Sequence, residues 1–247
     1  MRLACLAAAA LAPMTLILAA LPAHATPGMG EAVYGTEFED GVTTLESRYT
    51  RLNGGPADGE WVWRGEAEHA FSDRFTGSII ANASHAPGDT RFDAVGIEGV
   101  YRVATLPGGV GFAVYGEYDK GLNGAGDAVE AKLLFEKKHG SVDGKLNLIA
   151  GRDFEPGERT QYGYAASAGW RVAEDWRAGV QAFGGLGDPH GFGGRREHYV
   201  GPFARAEFDE GPVKGLGVEA AYLFAAGEAR QDANGQFRLL VEWEHKF

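Results

Sequence analysis

The chain has 247 residues, with 34 acidic against 23 basic side chains and a formal net charge of -11. Phosphate binding needs clustered Lys and Arg, so this balance argues against nucleic acid as a partner. A single cysteine, Cys5, leaves no internal disulfide to be made.

Residues 1–25 read as a secretory signal peptide. Arg2 supplies the positive start, Leu3 to Leu21 is almost wholly apolar, and Ala23-His24-Ala25 is a small-x-small cleavage box before Thr26. Pro13, Pro22 and that box favour removal over a spanning helix. Cys5 lies too near the start to be a lipoprotein acylation site, and it leaves with the signal. No apolar run of about 18 residues follows, so no transmembrane helix is expected.

Residues 26–41 form an N-terminal lead-in. Thr26 to Glu31 is a small-residue leader, Ala32 to Glu39 has the look of a short strand, and Asp40-Gly41 is a turn. An extra strand here would place the two chain ends on opposite rims, so the segment is read as a periplasmic lead-in or an extension of the first strand.

From residue 42 to 247 the chain is a meander with no helical periodicity of useful length. About twelve strands are predicted, near 42–52, 60–70, 75–85, 92–103, 110–120, 128–137, 144–154, 160–171, 176–186, 197–208, 215–225 and 236–247. Their connections alternate. Tight ones fall at Ser72-Asp73-Arg74, Leu106 to Gly109, His139-Gly140-Ser141, Ala173-Glu174-Asp175 and Glu210-Gly211-Pro212. Longer ones, rich in Gly, Asp and Pro, fall at 53–59, 86–91, 121–127, 155–159, 186–196 and 227–235. Short periplasmic turns alternating with longer extracellular loops is the layout of a transmembrane antiparallel β-barrel.

Successive strand residues point to opposite faces, so parity assigns an inside and an outside. Trp61, Trp63, Phe75, Ile79, Val114, Leu133, Tyr164, Trp170, Tyr222 and Phe224 fall outward, with aromatic residues gathered at strand ends as two girdles. The opposite parity is ionic: Arg48, Arg64, Glu66, Glu117, Glu130, Lys132, Arg205, Glu219, Arg238 and Glu242 are the candidate lumen-lining residues. Charges cannot face lipid cheaply, so they either line a selective aqueous path or pair into a closed, salt-bridged interior. Glutamates outnumber inward Arg and Lys, so a modest cation preference is expected of any path. Glu66, Glu117, Glu219 and Glu242, mid-strand on the inward parity, are its candidates, and Glu117 and Glu219 have no basic neighbour immediately beside them on their own face.

The last twelve residues, Q-F-R-L-L-V-E-W-E-H-K-F, alternate cleanly and stop on Phe247. This resembles the closing strand of bacterial outer-membrane barrels, whose terminal aromatic is the mark read by the barrel assembly machinery. Segments N-G-A-G-D-A-V-E-A-K-L-L-F-E-K (123–137), L-N-L-I-A (146–150), E-H-Y-V-G-P (197–202) and R-L-L-V-E-W-E-H (238–245) also resemble a poorly characterised alphaproteobacterial outer-membrane barrel family. That resemblance implies the porin-like fold and the cell outer membrane, and supplies no catalytic or binding residues.

Enzymatic chemistry is not expected. Ser84 and His85 are adjacent in sequence, so a strand sends them to opposite faces and they cannot form a dyad. His190 stands alone in a glycine-rich loop, and no His, Cys and Asp cluster has metal-ligand spacing. Loop acids such as Asp89, Asp127, Asp188 and Asp232 read as turn residues rather than Ca²⁺ ligands. No cofactor or metal is predicted. A porin-like channel for small hydrophilic solutes is the leading reading, with lipid as the surrounding partner. The alternatives are a lipid-modifying barrel enzyme and a structural or surface barrel without a through-path.

Overall fold

The computed structural model describes residues 26–193, 196–208 and 210–246. The expected signal peptide and Phe247 lie outside them. Thirteen strands follow in chain order: β1 Val42–Asn53, β2 Trp61–Ser72, β3 Phe75–Ala86, β4 Asp89–Leu106, β5 Val110–Gly121, β6 Ala128–His139, β7 Val142–Asp153, β8 Gln161–Ala173, β9 Trp176–Asp188, β10 Gly191–Phe192, β11 Glu197–Phe208, β12 Leu216–Gly227 and β13 Gly235–Lys246. The two-residue β10 only folds back on β9. The other twelve pair with their neighbours, β13 with β1 and β8 with β9, into a closed antiparallel barrel. Closure pairs each of these twelve wall strands on both sides, which a lipid-embedded sheet requires.

The period-2 alternation of the sequence becomes the two faces of the wall. Outward Ile79 and Ile97 are 66% and 61% exposed, whereas their inward neighbour Ile80 is 4% exposed. Phe75, Tyr101, Trp170 and Trp176 ring the tight-turn rim, and Tyr118, Phe224 and Phe237 stand exposed toward the loop rim. An exterior this apolar is a surface made for lipid rather than water.

Two connections differ from expectation. Residues 86–91, read as a long loop, are mostly strand: β3 and β4 run on until Ala86 faces Asp89. Pro87 and Gly88 make the whole turn, with Gly88 at φ 88°, the Pro-Gly signature of a type II turn. Likewise β9 continues to Asp188 and returns through β10, shortening the glycine-rich loop. The 227–235 loop goes inward. Its 3-10 turn, Glu228–Gln231, buries Ala229, and Ala233 follows it into a cluster with Leu52, Phe183, Tyr199 and Leu223. The Ala57 amide donates to Asp232 O at 2.9 Å, which ties this loop to the 54–60 loop.

The lead-in is neither periplasmic nor an extension of β1. It threads the lumen. At the tight-turn rim the Gly41 amide donates to Ala70 O (2.9 Å). From there the segment runs back up inside the barrel until Gln236 donates to Pro27 O at 3.0 Å, near the loop end. Both edges of β1 are already taken by β2 and β13, so the segment cannot extend the sheet. The inward polar groups offer the hydrogen bonds that the wall cannot. Met29 and Val33 pack on the apolar cluster at the loop end, and Tyr34 and Phe38 pack on a second one formed by Val100, Ala113, Tyr115 and Leu134.

Candidate functional site

The lumen is the candidate site, and parity builds it. Strand register sets like charges directly opposite one another: Arg48 faces Arg64, Glu98 faces Glu117, and Glu117 faces Glu130. Direct like-charge pairs destabilise a sheet, so the signs must meet diagonally or across a strand. They do. Arg48 reaches Glu66 at 2.8 Å and also pairs with Glu46. Arg64 spans to Glu98 at 2.6 Å and Glu117 at 2.8 Å. The Tyr115 hydroxyl lies 2.8 Å from the Glu98 carboxylate and also contacts Glu117. Lys132 bridges Glu130 (2.9 Å) and Glu31 of the lumen segment (2.8 Å). This network fills the β1–β6 side of the barrel.

The lumen segment is held largely by its backbone. Asn147 accepts from the Tyr34 amide at 2.8 Å and donates to the Tyr34 carbonyl at 3.0 Å. Glu136 accepts from the Thr36 amide at 2.7 Å and from its hydroxyl at 3.2 Å. Arg238 donates to the carbonyls of Gly28 and Glu31, with its guanidinium 4.1 Å from the centre of the Phe183 ring. The Tyr34 ring lies against Tyr115, centroids 5.0 Å apart, and receives Lys132 at 4.6 Å and Arg48 at 5.1 Å, a cation–π arrangement.

On the β7–β13 side a cavity of about 370 Å³ remains, extending from mid-barrel toward the tight-turn rim. Of the ten sequence-predicted lumen residues, Arg48, Arg205, Glu219, Arg238 and Glu242 line it. The other five, Arg64, Glu66, Glu117, Glu130 and Lys132, are inward but sit in the network outside that lining. Neither acid expected to act unpaired is free. Arg64 and Tyr115 take Glu117, while Gln181 donates to Glu219 at 2.6 Å and Arg205 stands 4.0 Å from it. The expected cation preference therefore loses its unpaired acids: the curved inner face brings together groups from strands that are not neighbours in the sheet. The cavity lining is balanced, with six carboxylates and six cations.

Sequence reading left Asp143, Arg177, Tyr115 and Tyr34 out of the site. Arg177 of β9 pairs with Asp143 of β7 at 2.5 Å, over the intervening β8. Strand parity alone already marks Asp143, Arg177 and Tyr115 as inward. For Tyr34 no periodicity gives a signal, because its segment lies in no strand.

The other sequence candidates are placed as follows. His85 contacts Thr90 (2.6 Å) and stacks on Trp61, with no hydrogen bond to Ser84 among the described residues. Asp127 and Asp188 serve their own loops, accepting from Lys120 and from the His190 amide. The carboxylates of Glu66, Glu68 and Glu98 come within 4.8 Å of one another, but Arg48 and Arg64 already hold two of the three.

No protein-family model and no curated protein matches this chain. Solved structures do. A KdgM porin in complex with disordered oligogalacturonate superposes with a TM-score of 0.56 at 10% identity, over 83% of this chain and 99% of that one. The NanC porin gives 0.52 at 10% identity, over 81% and 98%. An outer membrane channel from Pseudomonas putida F1 gives 0.53 at 13% identity, over 90% and 99%. The fold is similar to that of the outer-membrane porins. At these identities the likeness is one of architecture.

Proposed function

We propose that this protein is an outer-membrane barrel that passes small hydrophilic solutes in the manner of a porin, not an enzyme. The observation carrying this reading is the pairing of an apolar, girdled exterior with an ionic lumen that keeps a polar cavity of about 370 Å³. In this reading the tight-turn rim is periplasmic, the loop rim faces outward, and residues 1–25 direct export. The segments 123–137, 146–150, 197–202 and 238–245 support membership of the alphaproteobacterial outer-membrane barrel family. Arg48, Arg205, Glu219, Arg238 and Glu242 are the residues that meet a solute. The six acids and six cations of the whole cavity lining predict weak ion selectivity, since paired signs cancel along the path.

One observation favours a barrel without a through-path instead. Residues 26–41 occupy the lumen, and an apolar cluster closes its loop end. Planar-bilayer recording of the folded protein separates the two. Discrete conductance steps with little cation-over-anion preference support the channel. Silence from folded protein, with residues 26–39 still in place and after their removal, leaves the closed structural barrel.

A further inference from the structure

The lumen wall devotes a set of side chains to the backbone of residues 27–36. Asn147 takes both the amide and the carbonyl of Tyr34, Glu136 takes the Thr36 amide, Gln236 the Pro27 carbonyl, and Arg238 the carbonyls of Gly28 and Glu31. Simple lumen filling has no need of such pairing, which is how an extended peptide is recognised: main-chain hydrogen bonds supply the grip and side-chain slots supply the choice. Three slots are visible. Lys132 receives the carboxylate of Glu31 at 2.8 Å. Tyr115, Lys132 and Arg48 enclose the ring of Tyr34. Glu136 accepts the hydroxyl of Thr36 at 3.2 Å. The fit is close before and between them: a Cβ placed on Gly28 or Gly30 would stand 3.0–3.1 Å from wall atoms, and one on Gly35 would stand 3.0 Å from Glu136.

We infer that the lumen is a binding site for an extended peptide, and that residues 26–39 are its resident ligand. The motif it takes is an acid, then an aromatic three residues on, then a hydroxyl two further, with Ala32 and Val33 in the first gap and Gly35 in the second. This deepens the channel reading by naming a ligand class for the lumen, and binding can be scored apart from conduction.

The test keeps the full chain for folding. A site-specific protease sequence is inserted between Glu39 and Asp40, both exposed at the tight-turn rim, and the folded barrel is cut in detergent. Retention of the excised 26–39 segment after gel filtration is read by mass spectrometry. Uptake of a fluorescent synthetic peptide of the same sequence is read by anisotropy, against a scrambled peptide. The segment is expected to stay bound and the synthetic peptide to bind in preference to the scrambled one. Asn147→Ala should weaken binding about tenfold, for two lost hydrogen bonds of modest net strength. A peptide carrying Tyr34→Ala, which leaves the barrel untouched, should also bind more weakly. Immediate loss of the segment with no peptide uptake overturns the inference, as does equal binding of the scrambled peptide. Conductance measured on the same cut sample reports separately on the channel reading. Binding without conduction removes the channel and keeps the site, and conduction without binding does the reverse.

Discussion

Arg64 shows what a single residue does in this lumen. Its guanidinium is the common partner of Glu98 and Glu117, and all three side chains are at most 9% exposed. Removing one member of a buried ionic group leaves the others uncompensated, at about 3–5 kcal/mol. Arg64→Met should therefore lower stability sharply, while Lys246→Met, at an exposed pair with Glu39, should change it by less than about 1 kcal/mol. Denaturant titration in detergent, followed by heat-modifiable gel mobility, checks the contrast. Outside the wall, Asp127 is the clearest titrating group. Hydrogen bonds from Lys120 and then Tyr118 hold its carboxyl below the usual aspartate range, and it also accepts the Gly121 amide at 3.1 Å. A depressed folded pKa stabilises the loop above the ordinary aspartate pKa, and that contribution is lost as pH falls through the lower folded value. The Gly121 amide resonance should shift over that acidic window, and in Asp127→Asn the transition should vanish.

At the scale of elements, the strands were legible because each carries its own period-2 record. The inward parity of Arg48, Glu117 or Arg238 can be read off residue by residue. Which groups meet cannot, because partners such as Arg64 and Glu117 lie 53 positions apart, on β2 and β5, and meet only across the curved inner face of the wall. The 86–91 stretch misleads because Pro87-Gly88 supplies the whole turn, so the charged residues around it look like loop while lying in strand. Residues 26–41 carry no strand signal that distinguishes inside from outside. Their place follows from polar groups on distant strands, Asn147 and Glu136 above all, that no local pattern links to them. The lipid-facing band yields a direct prediction. Ile79 lies mid-strand and outward, so Ile79→Lys should cost roughly 2–4 kcal/mol, whereas Val142→Lys at the strand end should cost roughly 0–1. Folding titrations into lipid vesicles measure both.

Taken whole, the molecule is a closed wall wrapped around its own N-terminal segment. The wall is self-sufficient in backbone hydrogen bonds, while the lumen draws part of its polar pairing from that segment. Its fold is the one the alternation and the tight turns announce, and the lumen segment is what they do not. The position of that segment is the central claim, and one measurement addresses it directly. The only native cysteine, Cys5, precedes the described chain. A Cβ on Gly111 would stand 3.2 Å from that of Thr36, within a few tenths of an ångström of disulfide spacing. In the Thr36→Cys, Gly111→Cys variant, mild oxidation of the folded barrel should give a near-complete 36–111 crosslink, seen by peptide mass spectrometry and reversed by reductant. Two thiols that stay free and react readily with a bulky maleimide in the folded protein would place the segment outside the lumen and contradict the account.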